Sequence, residues 1–491
     1  MRWLKLFLLL SVFAISAQGK SDRPNIILFY VDDLGWKDLS CQGSLFYETP
    51  NIDRLAQDGV RFTQAYAAYP RCLPSRYGVI TGCYPARSGV SEALLRPSDV
   101  TLGEALQQAG YATCFIGKWH LSGKFGEANL PKNQGFDVSI AAGAPGAPPT
   151  YFYPYRKKTK DQLGKGWELG LSHDALPDLE KNGRPGEYLT ERLTDEAIAF
   201  IRKNADHPFF LYLSHYGVHT PFEAPDRLVK KYKQKLKRMT YKQPAYIPVS
   251  GTGVGEQKMR QDNPVYAAMI ESVDESLGRL LELLDEMGLS KNTLIVFTSD
   301  NGGLSNRGAE NGKINKRELA TSNLPLRTGK GWLYEGGIRE PFIVKWDGVV
   351  APGIVNQTNV ISQLDLFPTF LEVAGMPLRP ECHKDGRSFL ALLKGNDVSR
   401  SEPLFWHSGA GRPYSTGDTD SSAIRLGKYK LLEWYHSGHV ELYDLSSDLG
   451  EQHDLSQKMP EKVMQMRALL HAWRKETGAF CPAEQCWLKK H

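Results

Sequence analysis

The sequence lacks the features of several specialised protein classes. Its 491 residues include 60 Lys and Arg against 55 Asp and Glu, and a net charge of +5 is too small to indicate a nucleic-acid partner. The one markedly basic stretch, residues 230–242, is interpreted as a solvated helix face. No internal repeat is evident, and a hydrophobic content of 41% excludes a disordered chain. A chain of this length is expected to form one large domain and a smaller one.

The chain also lacks an apolar run long enough to span a bilayer. The run at residues 6–15 is too short, and it lies between the basic residues Arg2 and Lys5 and the small or polar residues 16–19. This is the pattern of a secretory signal peptide, and no cysteine follows it to carry a lipid anchor. We therefore expect residues 1–19 to be a signal peptide and the protein to be exported, periplasmic or secreted, without stable membrane insertion.

Cysteine is scarce, at seven residues. Export permits disulfides, and an even number of cysteines remains if Cys72 is reserved for chemistry. Cys481 and Cys486 could close a small loop near the C-terminus. The sequence leaves every pairing open.

Strand and helix patterns alternate along most of the chain. Short apolar runs predict strands at residues 25–31, 60–65, 111–116, 209–213 and 294–297. Capped or amphipathic segments predict helices at residues 49–57, 102–109, 189–203 and 265–287. This alternation is typical of an α/β protein whose sheet is buried on both faces.

The pattern changes after residue 375. Residues 424–434 and 440–445 are predicted as the two strands of a hairpin, and residues 461–475 as an amphipathic helix. We therefore divide the mature chain into a large domain at residues 20–375, expected to carry the chemistry, and a smaller α+β domain at residues 376–491.

Polar residues follow four of the predicted strands closely. They are Asp32 and Asp33, Lys118 and His120, His219, and Asp300 and Asn301. Ligand sites of open α/β sheets lie beyond the carboxyl ends of the strands, so these side chains are expected to converge. Oxygen ligands suit Ca²⁺, whereas Zn²⁺ would favour His or Cys. Turn chemistry explains either acidic pair alone, but the two pairs together predict a metal site. The Lys and His residues predict anion binding and proton transfer.

The segment from Cys72 to Gly82 predicts a short helix with Cys72 at its N-terminus. Pro74 suits the first turn of a helix, and Gly82 suits its end. Arg76 lies one turn after Cys72 on the same side. Because helix N-termini favour negative charge, a nucleophile and a cation are expected together at an anion-binding point.

Five segments resemble, in order, the motifs of the sulfatase family. Residues 72–76 read Cys-Leu-Pro-Ser-Arg and are followed by Ile80-Thr81-Gly82. They are similar to the family pattern Cys-x-Pro-Ser-Arg-x-x-x-Leu-Thr-Gly, with Ile80 keeping the apolar character of the usual Leu. The segments at residues 31–35, 118–120, 299–303 and 329–341 resemble further motifs. The likeness covers nearly the whole mature chain and includes exported bacterial carbohydrate sulfatases.

The resemblance implies a fold, a modification and a cofactor. Formylglycine-dependent sulfatases belong to the alkaline phosphatase superfamily. The expected α/β fold is therefore a large mixed sheet between helices, with a smaller C-terminal α+β domain that carries an antiparallel sheet. Cys72 is expected to be oxidised to formylglycine by a formylglycine-generating or an anaerobic sulfatase-maturating enzyme. One Ca²⁺ would be held by Asp32, Asp33, residue 72, Asp300 and Asn301. The residues that match those around the formylglycine and the sulfate are Arg76, Lys118, His120, His219 and Lys330.

The implied reaction is hydrolysis of a sulfate ester with release of inorganic sulfate. We hypothesise that the hydrated formylglycine attacks sulfur. His219, alone or with Lys330, would protonate the leaving alcohol, and His120 would accept a proton as the aldehyde re-forms. His215 lies in the same segment, but His219, before Thr220-Pro221, is the better match. The alternatives are a phosphonate monoester or phosphodiester hydrolase, and a non-catalytic binder of sulfated glycan if Cys72 stays unmodified.

Two aromatic segments favour a sulfated carbohydrate as substrate. Residues 151–155 follow a Gly/Ala/Pro-rich stretch at 141–149 that is interpreted as a surface loop, and Leu404-Phe405-Trp406-His407 is the second segment. Aromatic faces pack on sugars, although packing in the core explains both segments equally well. The sugar, its sulfated position, exo or endo action and the oligomeric state stay open.

Overall fold

The computed structural model describes residues 23–89, 93, 95–249 and 251–479. The predicted signal peptide and the pair Cys481 and Cys486 lie outside these residues. The cysteines among the described residues are free thiols: Cys41, Cys72, Cys83, Cys114 and Cys382.

Strands and helices alternate through the first three quarters of the chain. In chain order the strands are β1 (Asn25–Val31), β2 (Val60–Tyr66), β3 (Ala112–Gly117), β4 (Val138–Ile140), β5 (Phe209–Ser214), β6 (Tyr246–Pro248), β7 (Glu256–Lys258), β8 (Thr293–Ser299), β9 (Asn306–Arg307), β10 (Ala309–Glu310), β11 (Lys313–Ile314), β12 (Arg339–Lys345), β13 (Ile354–Asn356), β14 (Ile361–Ser362), β15 (Leu404–Ser408), β16 (Ser421–Leu426), β17 (Tyr429–Trp434) and β18 (Val440–Asp444). The α-helices are α1 (Pro50–Gln57), α2 (Cys72–Thr81), α3 (Leu102–Gln108), α4 (Leu189–Lys203), α5 (Asp226–Leu236), α6 (Pro264–Glu286), α7 (Glu335–Ile338), α8 (Leu366–Val373), α9 (Leu390–Leu393) and α10 (Pro460–Thr477).

A mixed sheet of nine strands forms the centre of the described chain. Its order is β13-β2-β12-β8-β1-β5-β3-β4, and β14 also pairs with β2. Strand β1 runs parallel to β5 and β8, and β3 runs parallel to β5, whereas β12 is antiparallel to β8 and β2. The carboxyl ends of β8, β1, β5 and β3 therefore lie side by side at one edge of the sheet.

Helices cover both faces of this sheet. Strand β1 is buried along all seven residues, and its side chains alternate between two hydrophobic cores. Ile27 and Phe29 pack in the core that includes α4, α5 and α6, whereas Ile26 and Leu28 pack in the core that includes α2, α3 and α8. This burial on both faces is the reason for the uninterrupted apolar run, and it confirms the predicted α/β class.

A second, four-stranded antiparallel sheet has the order β15-β16-β17-β18. The prediction of one strand over residues 424–434 was wrong, because a turn at Gly427 and Lys428 separates β16 from β17. Gly427 has a φ of +58°, which favours glycine. The turn is short and lies between two apolar segments, so the local pattern conceals it. Helix α8 precedes residue 375 and α9 follows it, yet both pack in the same core against the large sheet. The division into two domains at residue 375 stays a prediction.

The small sheet packs against the segment that leads into β12. One of its faces packs on α10, and the other contacts Trp332, Leu333 and Tyr334. The Lys430 Nζ atom of β17 lies 2.9 Å from Glu335 Oε1 and 2.9 Å from Glu451 Oε1, and all three side chains are fully buried. This ion cluster holds the start of α7, and with it the preceding segment around residue 330, against the small sheet.

We expect Lys430→Ala to lower the free energy of unfolding by about 3–5 kcal/mol, because it leaves the buried Glu451 carboxylate without a counter-charge and leaves Glu335 paired with Arg339 alone. Urea denaturation followed by circular dichroism measures this. Lys428→Ala is the matched control: Lys428 is exposed and contacts Asp444 and the Tyr429 ring at the surface, so a change within about 0.5 kcal/mol is expected. A loss below about 1 kcal/mol in Lys430→Ala would contradict the assigned role of the cluster.

The aromatic segments pack in the cores, which decides between the two interpretations that the sequence left open. Tyr151 and Tyr155 are fully buried, and Leu404 and Trp406 of β15 are buried against Tyr334 and its neighbours. These side chains present no ring face to a sugar. Every helix within the described ranges is too short or too polar to cross a membrane.

Candidate active site

The predicted site residues converge at the edge where β8, β1, β5 and β3 end. Backbone hydrogen bonds extend the pairing beyond the strands: Asp300 N donates to Val31 O at 3.1 Å, and Lys118 N donates to Ser214 O at 2.7 Å. The side chains that follow the four strands are thereby fixed next to one another. Asp33 and His120 have φ values of +60° and +63°, so the chain turns sharply at both points.

Helix α2 brings residue 72 to this edge. It begins at Cys72, and Gly82 ends it in the left-handed conformation, as predicted. Gly78 lets the helix approach its neighbours, since a Cβ atom there would lie 2.5 Å from the Cβ of Ala68. Cys72 is half-buried at the helix N-terminus, where free N–H groups and the helix dipole favour an anion.

Arg76 ties the strand ends together from within α2. Its Nε and Nη2 atoms donate to Asp300 Oδ2 at 3.0 and 2.8 Å, and Nη1 donates to Lys118 O at 2.7 Å and Ser214 Oγ at 2.6 Å. Although burial opposes the charge, Asp300 and Asp32 raise the pKa of this guanidinium, so it stays positive. Arg76, which the sequence places on the same helix side as residue 72, thus also contacts the ends of three strands.

Two lysines neutralise the two aspartates that follow β1. The Nζ atom of Lys118 lies 2.6 Å from Asp32 Oδ2, and that of Lys330 lies 2.6 Å from Asp33 Oδ1. Burial raises the pKa of Asp33, but Lys330 and then His219 outweigh it and hold that pKa well below its usual range. Lys330 reaches this position from the segment before the antiparallel strand β12.

The oxygen atoms at this edge fit a hard divalent cation. Asp32 Oδ1 and Asn301 Oδ1 are buried and have no hydrogen-bond partner within the part of the chain that the structure describes. Ligand atoms of Asp32, Cys72 and Asp300 lie within 4.8 Å of one another. Burial, followed by the charge of Asp32, raises the pKa of Asp300 to about 6. A bound cation would reduce the electrostatic repulsion between these buried carboxylates. Oxygen donors favour Ca²⁺ or a similar ion.

The two predicted histidines face a cavity beside Cys72. His219 Nδ1 donates to Thr220 O at 2.8 Å, and its Nε2 atom lies 3.6 Å from Asp33 Oδ2. Burial, followed by the charge of Lys330, lowers the pKa of His219, and burial also lowers the pKa of His120. His215 lies in the core instead, with Nε2 3.0 Å from Ser276 Oγ, and burial lowers its pKa to about 3. The choice of His219 over His215 agrees with this placement.

The cavity has a volume of about 270 Å³ and includes residues that sequence reasoning missed. Its lining is formed by Arg71, Cys72, Leu73, Pro74, His120, Gly146, His219, Arg317, Lys330, Arg412, Ser415 and Thr416. Gly146 brings the predicted loop at 141–149 to the site, because a Cβ atom there would lie 2.6 Å from the His120 ring. Arg71 could have been found from its adjacency to Cys72. No local pattern marks Arg317 or Arg412.

Carboxylates, cations and a helix N-terminus around one cavity define a hydrolase for an anionic ester. Comparisons with known proteins specify the class. The family model described as Sulfatase matches residues 24–376, and the model described as N-sulphoglucosamine sulphohydrolase, C-terminal, matches residues 328–476. The chain therefore belongs to the sulfatase family, whose members are sulfuric ester hydrolases.

Named relatives are similar over most of the chain. The N-acetylgalactosamine-6-sulfatase of Mus musculus is 32% identical, across 90% of this chain and 78% of that protein. The N-acetylgalactosamine-6-O-sulfatase of Bacteroides thetaiotaomicron is 30% identical, across 92% and 93%. The crystal structure of Ps i-CgsB superposes with a TM-score of 0.74 at 30% identity and covers 92% of both chains. The predicted family, enzyme class and mixed-sheet fold are thus confirmed, and the roles of individual residues stay predictions.

Proposed function

We propose that this sulfatase acts on a sulfated carbohydrate. The observation that carries the proposal is the cavity beside Cys72, in which cationic and polar side chains outnumber the apolar lining residues Leu73, Pro74 and Gly146. Such a wall suits hydroxyl-rich, anionic ligands, whereas a steroid needs an extended apolar wall. Relatives support a sugar: two are named for N-acetylgalactosamine 6-sulfate, and Ps i-CgsB has a structure with a neocarrahexaose.

The proposal includes two groups that the chain's residues fit. Residue 72, Asp32, Asp33, Asp300 and Asn301 would hold Ca²⁺. A bound Ca²⁺ would supply Lewis acidity toward a sulfate oxygen. Formylglycine at residue 72 would supply a nucleophilic oxygen in place of the thiol. Cys72 makes its formation possible, since a maturating enzyme acts on the cysteine of the motif.

The chain's own residues bind the sulfate and move protons. Lys118, Lys330 and Arg76 place three positive charges around the point where residue 72 meets the cavity, and these charges stabilise the additional negative charge of the transition state. Asp32 and Asp33 hold the two lysines in position. In its protonated form His219 donates through Nδ1 to the Thr220 carbonyl, which leaves Nε2 to donate to the leaving oxygen. Tyr151 OH donates to the His219 carbonyl at 2.8 Å and steadies this segment.

Export and maturation are part of the proposal. Residues 1–19 would direct the chain out of the cytoplasm, and either the formylglycine-generating or the anaerobic system would act on Cys72. Mass spectrometry of the peptide containing residue 72 is expected to give the mass of formylglycine in the exported protein. An unmodified cysteine together with tight binding of sulfated glycan would favour the non-catalytic alternative.

A panel of sulfate esters tests the substrate class. We expect kcat/KM for at least one sulfated mono- or disaccharide to exceed that for a steroid sulfate by about 100-fold or more. Phosphodiester and phosphonate monoester analogues of one aryl alcohol serve as further arms. Faster turnover of the steroid sulfate would overturn the carbohydrate assignment, and faster turnover of the phosphodiester would favour the alternative hydrolase.

His219→Gln is expected to lower kcat/KM by about 10²–10⁴-fold on a sugar sulfate, because a sugar alkoxide leaves only with a proton. On 4-nitrophenyl sulfate, whose leaving group needs no proton, the loss is expected to stay below about tenfold. His215→Gln is the matched control, since its ring contacts Ser276 in the core, and its kcat/KM is expected to remain near that of the wild type. Equal losses of His219→Gln on the two substrates would contradict the role of proton donor.

A further inference from the structure

The cavity has a second group of lining residues, which belongs neither to the strand ends nor to α2. Arg317 comes from the segment after β11, and Arg412, Ser415 and Thr416 come from the segment between β15 and β16. From the sequence alone, the polar residues 307–323 are interpreted only as a loop. The structure gives this loop a place on the cavity wall.

The two segments are firmly joined. Gly308 N donates to Ser415 O at 2.9 Å, and Ala309 N donates to Pro413 O at 3.1 Å. Arg317 N donates to Asn315 Oδ1 at 3.0 Å, and Arg307 Nη1 donates to Arg317 O at 3.2 Å. The backbone of Arg317 is therefore held in place before any ligand arrives, which lowers the entropic cost of binding.

The guanidinium of Arg317 has no carboxylate partner among the described residues. Its Nη1 atom donates to Ser415 Oγ at 3.1 Å, a neutral acceptor. The neighbouring arginines are neutralised differently: Arg71 pairs with Asp418, and Arg307 pairs with Glu256. Burial lowers the pKa of Arg317; the charge of Asp33 opposes this effect, and the positive charge of Arg412 adds to it. A half-buried guanidinium without an ion-pair partner is costly, so a ligand anion is the natural partner.

The cations that surround the scissile sulfate are already assigned. Lys118 contacts Asp32, Lys330 contacts Asp33, and Arg76 contacts Asp300, whereas Arg317 contacts none of these aspartates. Arg317 is thus additional to the sulfate-binding group, yet it lines the same cavity as Cys72. We propose that Arg317 binds a second anionic group of the substrate, a carboxylate or a sulfate carried by the same sugar or its neighbour.

This inference rests on the proposed function and specifies its substrate as a glycan with at least two anionic groups. The planar fork of arginine matches both carboxylate and sulfate oxygens, so the chemistry of the two sources is shared. The substrates in the test must therefore separate a uronate from a second sulfate. They must also include a sugar with the scissile sulfate alone.

The experiment compares the wild type with Arg317→Gln on three sugars of matched length: monosulfated and otherwise neutral, monosulfated with a uronate, and disulfated. The wild type is expected to prefer at least one dianionic sugar over the neutral one by tenfold or more in kcat/KM. Arg317→Gln is expected to lose at least tenfold on that sugar, mainly through KM, and to lose the preference. Arg317→Lys, which keeps the charge without the fork, is expected to recover part of the loss.

Lys316→Gln is the matched control, because it removes one positive charge from the adjacent, exposed residue without touching the cavity. Its preference is expected to equal that of the wild type. Absence of any dianionic preference in the wild type would overturn the inference, and so would an equal loss of Arg317→Gln on all three sugars. If the wild type hydrolyses none of the three sugars, the proposed function is refuted. Calorimetric binding of the same sugars to the wild type and to Arg317→Gln then still decides the role of Arg317.

Discussion

Cys72→Ser and Cys72→Ala are expected to lower kcat on a sulfate ester by at least about 10³-fold while the protein folds normally. Residue 72 would be the nucleophile, and alanine has no side-chain sulfur or oxygen from which the aldehyde could form. A plain hydroxyl could accept the sulfate but could not release it by re-forming an aldehyde. The fold should tolerate both changes, because the Cys72 side chain is half-buried and faces the cavity.

Turnover, circular dichroism and thermal unfolding are measured on the same preparations. Cys382→Ser is the control: Cys382 is also a half-buried free thiol, but it does not line the cavity, and its kcat is expected to equal that of the wild type. Wild-type turnover in either Cys72 variant would refute the nucleophile assignment. Loss of the folded state in Cys72→Ser would show instead that residue 72 has a structural role.

Asp32→Asn is expected to weaken Ca²⁺ binding by at least about tenfold and to lower kcat/KM by about 100-fold or more. Asp32 uses Oδ2 to hold Lys118, and its Oδ1 atom is buried without a hydrogen-bond partner among the described residues, with Arg76 Nη2 3.7 Å away. Asparagine keeps the volume but removes the charge, so Lys118 and a cation can no longer share the side chain. A chelator is expected to have the same effect on the wild type, and added Ca²⁺ is expected to reverse it.

Calcium binding is measured directly by calorimetry and by the rise in melting temperature, which depends on the ligand concentration relative to Kd. Asp58→Asn is the control, since Asp58 is a half-exposed carboxylate that pairs with Lys345 at 3.3 Å and is not one of the predicted ligands. An unchanged Ca²⁺ affinity in Asp32→Asn would contradict the ligand assignment. Parallel titrations with Mg²⁺ and Mn²⁺ test whether the site prefers the larger ion.

Sequence reasoning succeeded where a local pattern has a single structural meaning. The apolar run at β1 must be buried on both faces, and the polar residues after it then lie at the carboxyl edge of the sheet. Pro74 marked the start of α2, because its restricted backbone suits the first turn of a helix. Gly82 marked the end, because glycine adopts the left-handed conformation that ends a helix. These features placed Asp32, Asp300 and residue 72 near one another before any distance was known.

Local patterns failed where their meaning depends on distant neighbours. Tyr151 has the same ring whether it faces a sugar or the core, and only its burial beside Tyr216 and His219 decides between them. The turn at Gly427 is short enough to be concealed by the apolar residues on both sides. The antiparallel direction of β12, which brings Lys330 to Asp33, depends on pairing with β8 and β2 rather than on its own residues.

The sequence by itself determined the α/β class, the family motifs and the residues expected around the sulfate, because these follow from hydrophobic periodicity and from chemistry carried by short segments. Only the tertiary structure shows that Arg317 and Cys72 line the same cavity, although more than two hundred residues separate them in the sequence. It also decided that the small sheet fixes the Lys330 segment through Lys430 and Glu335. Such contacts depend on how separate elements pack, which no short segment of sequence encodes.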